Sequence, residues 1–332
     1  MALETRTISL SHLTLNQDEL AFYKRQTGID EEEKLKKRIV EIAQKALDVY
    51  PYHCIWTFGF LRFRILRSQS GYKQLLELGA TRRDALFLDI GCCFGNDIRK
   101  AIEDGFPAQN VIASDLRPDF WNFGHQLFNT DPKTFPVTFV PGDVLSSSFI
   151  STQPPLLLPP HESPPNSIPP VSLQSLLLLH PNPNPTDPNS TLNAQSLNPL
   201  RGHLSAIHTS AFFHLFKKDE QLLIAKKLAS LLSPVPGSII FGSHRGAATP
   251  QEGERSDSTA RGTLLYRHSP ESWKEMWEKE VFGRVSDGES QGDGEGDGGR
   301  SRSTAEKLIR VDAGLSVDER SKEILWWSVT RL

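Results

Sequence analysis

From Asp84 onward the chain repeats one local pattern, and that pattern narrows its possible folds more than any other feature. A short apolar run leads through a turn into a helical stretch, again and again. "ALFLDI" passes through "GCCFG" into "NDIRKAIEDG"; "NVIASD" passes into "PDFWNFGHQLF", with Pro118 suited to a first helical turn. "VTFVPGDV" follows; later come "LSAIHTS" before "DEQLLIAKKLASLLSP", "GSIIFGS" before "SPESWKEMWEKEVF", and "ILWWSVTRL" at the end. A helix between two strands carries the chain back across the sheet, so the strands it joins run parallel. The alternation predicts an α/β fold with a mostly parallel, doubly wound sheet. Ligands of such sheets sit beyond the carboxyl ends of the strands. The residues that close each apolar run are therefore the first candidates for function.

Three of those runs close on an acid. Asp89, with Gly91 and Gly95 behind it, stands at the end of the first. Gly91 permits positive φ and close backbone approach. A dinucleotide site needs glycine at the next position of its G-x-G-x-x-G turn, so that a pyrophosphate reaches the helix N-terminus. Cys93 occupies that position and the remaining spacing also fails, which disfavours a nicotinamide dinucleotide. Asp115 closes the second run in "VIASDL", where a carboxylate can accept both hydroxyls of a ribose. Asp143 closes the third in "PGDVL", placed to accept an adenine amino group while Val144 packs on the ring. Asp89 is placed to meet a cationic amino group. Together these describe an adenosine with a cationic amino-acid tail and no phosphate, which fits S-adenosylmethionine.

Composition excludes other classes. A net charge of -3 gives no electrostatic footprint for nucleic acid. No apolar run has membrane length, and "MALETRTISLSHLTLNQDEL" lacks a basic region followed by an apolar one, so a cytoplasmic protein without a signal peptide is expected. Cys54, Cys92 and Cys93 make a poor disulfide framework. No metal site is expected, because there is no second cysteine pair and the histidines lack ligand spacing.

The organisation has four parts. Residues 1–80 read as an N-terminal helical cap: "NQDELAFYKRQTG" with Asn16 and Glu19 as a capping box, then a helix from Asp30 with Leu35, Ile39, Ile42, Ala43, Ala46 and Leu47 on one face, ended by Pro51. Residues 81–332 carry the alternating pattern. Inside it, 151–200 holds 13 of the 23 prolines and no Lys or Arg, which reads as a disordered spacer, with "SLLLLH" as its one docking candidate. Residues 286–303 read as a Gly-rich acidic linker.

The chain resembles class I S-adenosylmethionine-dependent methyltransferases, and more narrowly the fungal methyltransferases of meroterpenoid pathways, several of which esterify carboxylic acids. The resemblance is carried by "FYKRQTGI", "VYPYHCI", "LDIGCCFGNDIRK", "ASDLRPDFWNFGHQLF", "GDVL", "HTSAFFHLF", "PGSIIFG" and "WWSVTR". It implies a Rossmann-like, seven-stranded sheet under the cap, and cofactor contacts at Asp89, Gly91, Cys92, Gly95, Asp115, Leu116, Asp143 and Val144. The sequence departs from the family at the fourth strand, where Ser205 replaces the usual acidic residue.

A carboxylate acceptor is ionised at neutral pH and needs no general base; a phenol, with a pKa of about 10, needs one. The expected small-molecule partner is a carboxylic acid, with a phenol as the alternative. His208 is the catalytic candidate, since the fourth strand points it at the cofactor's methyl. Tyr23, Lys24 and Arg62 of the cap and Thr209 and His214 beside His208 are candidate substrate contacts. Neither histidine has an acidic neighbour in sequence to orient it. A non-catalytic binding protein using the proline-rich segment remains the third reading.

Overall fold

Apolar runs followed by helices bury both faces of their strands, and the computed structural model places them so. It describes residues 8–158, Leu173, Leu176, 196–254, 264–283, 307–318 and 320–332. The strands are β1 (Leu86–Ile90), β2 (Val111–Ser114), β3 (Thr138–Phe139), β4 (Leu204–Ser210), β5 (Ile239–Arg245), β6 (Gln251–Glu254), β7 (Leu264–Arg267), β8 (Ile309–Val317) and β9 (Glu323–Arg331). Seven of them form one sheet in the order β3-β2-β1-β4-β5-β9-β8; β6 and β7 form a separate hairpin. The first five strands of the sheet are parallel, and β9 is antiparallel to both β5 and β8. From β1 the chain steps outward to β2 and β3, then returns to β4 on the other side of β1. The winding reverses there, which opens a crevice at the carboxyl ends of β1 and β4. In that pairing Asp89 and His208 are register partners.

The cap is α1 (Gln17–Thr27), α2 (Glu32–Val49), the short α3 (His53–Trp56) and α4 (Gln69–Thr81). Asn16 and Glu19 form the expected capping box on α1. All six apolar residues read on one face of α2 are buried. The cap of α2 is Glu31 rather than Asp30 and makes no side-chain bond; the acids Glu32 and Glu33 in its first turn suit the helix dipole instead. The α2 face merges into one apolar cluster with Phe94, Phe120, Leu127 and Phe128, so the cap packs on the helix after β2. That helix is α6 (Pro118–Phe128), preceded by α5 (Asn96–Glu103) after β1. After β4 comes α7 (Lys218–Leu231), and α8 (Pro270–Glu275) continues into a π-helical turn, Met276–Val281.

Three expectations change. The run "VTFVPGDV" gives only a two-residue strand, because Pro136 and Pro141 flank it without donors to the ladder. β8 and the β6–β7 hairpin add strands that the alternating pattern did not reveal. The proline-rich segment also does more than span a gap. Leu173 and Leu176, the latter within "SLLLLH", are 6% and 5% exposed in the central apolar cluster, beside Leu197 and Leu200. The Leu197 N–H donates to the Phe149 carbonyl at 3.0 Å, and Ser151 N–H to Asn198 Oδ1 at 2.7 Å, so the two ends of the segment are tied together. The Gly-rich linker lies outside the described residues.

Candidate active site

The turn after β1 is built from backbone donors. Gly91 N–H and Cys92 N–H both donate to the Ser114 carbonyl, at 2.8 and 3.1 Å. Gly91 has φ +75°, and a Cβ there would stand 2.7 Å from the Phe212 ring. Gly95 has the same φ and would meet Trp121 at 2.7 Å. Cys93 also adopts positive φ, +53°, without being glycine. That geometry aims its N–H at Asp115 Oδ2, 2.9 Å away, and stitches the β1 turn to the end of β2.

A pocket opens above this turn, at the reversal between β1 and β4. Every expected cofactor contact except Gly95 lines it; Gly95 stands one step behind as the cap of α5. Four carboxylates face the space: Asp89, Asp97, Asp115 and Asp143. Asp115 already accepts Cys93 N–H and, on Oδ1, Arg117 N–H at 3.0 Å, which leaves one acceptor site on each oxygen. Burial, against those two bonds, raises its pKa. Asp143 is exposed and accepts Leu145 N–H at 2.9 Å. Asp97, at the start of α5, accepts Ile65 N–H at 3.2 Å, and burial pushes it up to about 6. Ser114 Oγ and Asn96 Oδ1 also line the pocket and are buried without a hydrogen-bond partner. A ring of acids with unpartnered polar atoms beneath it fits a cationic, hydroxyl-bearing ligand such as S-adenosylmethionine.

His208 does have an acidic partner. Its Nδ1 lies 2.8 Å from Asp89 Oδ1 and its Nε2 lies 2.8 Å from Ser210 Oγ, which also accepts Ser243 N–H at 3.1 Å. The ring is 1% exposed. Burial works against its charged form, but the Asp89 carboxylate, its hydrogen bond and Asp97 outweigh that and raise the pKa. Asp89, His208 and Ser210 thus form a hydrogen-bonded chain along the pocket wall. Sequence inspection missed the pairing because Asp89 and His208 are 119 residues apart; only the parallel register of β1 and β4 brings them together.

The structure divides the other candidates. Arg62 lines the pocket, ion-paired with buried Glu19 and donating to Thr14 Oγ1 at 3.2 Å. Tyr23 is off the pocket wall: it is wholly buried in the cap, stacks with Phe63 and Phe128, and donates its hydroxyl to the Leu61 carbonyl at 3.0 Å. Lys24 is half-buried in the last turn of α1, and neither cavity at the site includes it. Thr209 alternates with His208 and Ser210 along β4, so its side chain leaves the pocket face; its buried Oγ1 has no partner. His214 lines a second cavity beside the pocket.

That second cavity shares Tyr52, Cys54, Arg62, Arg64, Ala211 and Leu215 with the pocket. Tyr52, at the junction, is pushed up to about 12, by burial first and by Asp115, against a hydrogen bond from Arg117. Among the described residues, Arg62, Arg64, Arg67, Arg245, Arg267, Arg320 and Lys322 line the second cavity with one carboxylate, Asp318. Sequence inspection singled out none of these cations but Arg62, since they come from the cap, β5, β7 and the β8–β9 turn. The two spaces have opposite character: an acid-ringed pocket at the strand ends and a cationic cavity under the cap.

The fold is thus Rossmann-like α/β with an N-terminal helical region, and its strand-end pocket lies where that class of protein binds a nucleoside. Residues 9–61 match the meroterpenoid methyltransferase N-terminal domain family. O-methyltransferase phiE of Fungal sp. is 29% identical over 247 residues, 74% of this chain and 65% of its own. Methyltransferase adrK of Penicillium rubens is 30% identical over 69% of this chain and 64% of its own. The asnovolin E/chermesin D methyltransferase nvfJ of Aspergillus novofumigatus is 28% identical over 74% and 70%. The chain spans less than two thirds of phiE, and 57% of O-methyltransferase atr3 of Stereocaulon alpinum. The CMeT domain of the citrinin polyketide synthase aligns over 96% of this chain and 68% of its own, at 12% identity and a TM-score of 0.45; so loose a likeness leaves the topology to rest on the strand order. The resemblance read from the sequence is borne out: the chain is similar to fungal meroterpenoid-pathway methyltransferases.

Proposed function

We propose that the protein is an S-adenosylmethionine-dependent O-methyltransferase that converts a small-molecule carboxylic acid to its methyl ester. The observation that carries this reading is the pairing of an acid-ringed pocket with a cationic cavity through one shared wall. S-adenosylmethionine, when bound, supplies an activated methyl on a sulfonium with a good leaving group. The chain's own tasks are binding, orientation and exclusion of water. Asp115 and Asp143 hold the nucleoside, and the turn at Gly91–Cys93 holds the amino-acid end beside Asp89. Arg62 and Arg64 at the junction hold the acceptor carboxylate; an arginine fork matches a carboxylate with two hydrogen bonds. An ionised carboxylate attacks without surrendering a proton, so His208 is not required as a base. The names of the relatives support methyl transfer to oxygen, and the cavity's charge supports an anionic acceptor.

A hydroxyl acceptor is the second reading, and the Asp89–His208–Ser210 chain is what favours it. A buried imidazole oriented by a carboxylate is the arrangement a proton-accepting base needs. Calorimetric titration tests the shared premise. S-adenosylmethionine is expected to bind and NAD is not. Asp143→Ala is expected to weaken S-adenosylmethionine about tenfold, since bonds to a charged acceptor contribute about 1.5–3 kcal/mol. Binding of NAD in preference would overturn the reading.

A further inference from the structure

A carboxylate at the Arg62–Arg64 junction does not reach Arg245 and Arg267, which line the cationic cavity beyond it. Arg67, Arg245, Arg267, Arg320 and Lys322 line only the space beyond that junction. Arg245 ends β5 and Arg267 ends β7; both are half-buried, and among the described residues neither makes an ion pair. Asp318, the one carboxylate among the described residues of the lining, is already engaged. Its Oδ1 accepts the N–H groups of Arg320 and Lys322, at 3.0 and 2.8 Å. Burial works the other way, but those bonds and the nearby Arg67 and Arg245 hold its pKa below the ordinary carboxylate value. Arg245 lies within electrostatic reach of Arg267, Arg64 and Arg320, and burial and those like charges lower its pKa. Like charges gathered on half-buried stems repel one another unless an anion joins them. Leu215, Leu265 and Ile324 supply an apolar stretch of wall in the same cavity.

We infer that the acceptor carries a second anionic group, remote from the carboxylate that is methylated, and that Arg245 and Arg267 hold it. The inference rests on the carboxylate reading above and adds a substrate class to it: an organic acid with a largely apolar body and an acidic group at each end. The first group sits at the junction beside the pocket and becomes the ester. The second stays in the cavity and fixes which end of the molecule is presented. An acceptor whose far end is neutral leaves two arginines unpaired on binding and is bound less well.

Linear dicarboxylic acids of graded length, each compared with its own monomethyl ester, are the probes. They are titrated calorimetrically into the full chain loaded with S-adenosylhomocysteine. The best-fitting diacid is expected to bind at least about tenfold more tightly than its half-ester, the difference one charge-assisted pair makes, and the margin should shrink with salt. In Arg245→Gln and Arg267→Gln, checked for cooperative melting, the diacid's affinity is expected to fall about tenfold, toward that of the half-ester. Equal affinities across the series in the unmutated protein would overturn the inference whether or not the variants fold. So would a preference that survives both substitutions. Methyl transfer to acids without any diacid preference removes the second anion site and leaves the methyl-ester reading in place. Diacid preference without methyl transfer to any acid removes the methyl-ester reading and leaves the site.

Discussion

Asp97 carries a measurable cost of building the pocket. Burial, with the nearby Asp89, raises its pKa to about 6, against the opposing pull of His208 and the Ile65 N–H. In an unfolded chain an aspartate titrates at about 3.9. Between those values the folded protein binds more protons than the unfolded one, so stability falls as pH rises from about 4 to about 6, and the loss persists above that. Asp97→Asn keeps the acceptor for Ile65 and removes the penalty. It is expected to stabilise the protein at pH 7 by up to about 3 kcal/mol, with the gain vanishing near pH 4. Urea unfolding across that range reads it; equal stability at pH 7 would mean the carboxylate is better solvated than its surroundings imply. His208 runs the other way. Its pKa is raised, so what its pairing with Asp89 adds to stability is fully present below about pH 6.5 and is lost as pH rises through the raised value. A carboxylate kept at a net cost points to a ligand that uses it.

At the scale of elements, the proline-rich segment makes the sharpest test. Its composition reads as a spacer, yet Leu173 and Leu176 are buried in the central cluster. Leu→Ala at either is expected to cost about 2–5 kcal/mol in denaturant unfolding, and a Gly/Ser link in place of 159–195 should lower the melting temperature sharply. A deletion that melts within a few degrees of the full chain would restore the spacer reading. Composition hid this, because the thirteen prolines set the reading of the segment although eleven leucines lie among them. Where the signal was periodic, the sequence was sufficient: the α2 face, the Asn16–Glu19 box and the first two strands, with Asp89 and Asp115 within one residue of their ends, all stand as read. Where it depended on distant pairing, it was not. β8 begins with alternating buried residues, Ile309 and Val311, but then stays half-exposed against β9, so its pattern fades before a strand can be recognised. The acids at the strand ends were legible one by one. The Asp89–His208 pair, Arg64 and the cationic cavity were not, because only the strand register and the docking of the cap assemble them.

The whole molecule places two chemistries on either side of one wall. Strand ends of the parallel sheet and the start of α5 supply the acids of the pocket, and the cap, β5, β7 and the β8–β9 turn supply the cations of the cavity. On the proposed reading, the junction between them, at Arg62, Arg64 and Tyr52, is where a methyl donor and an anionic acceptor meet. The most direct measurement is mass spectrometry of products from the purified chain incubated with methyl-labelled S-adenosylmethionine and a mixed panel of carboxylic acids and phenols, over pH 6 to 9. Labelled methyl esters are expected, formed at a rate nearly flat across that range because the acceptor is already ionised, and still formed by His208→Asn. Labelled aryl methyl ethers and no esters, with a rate that climbs through the titration of His208 and falls by about 10²–10⁴-fold in His208→Asn, would contradict the ester reading.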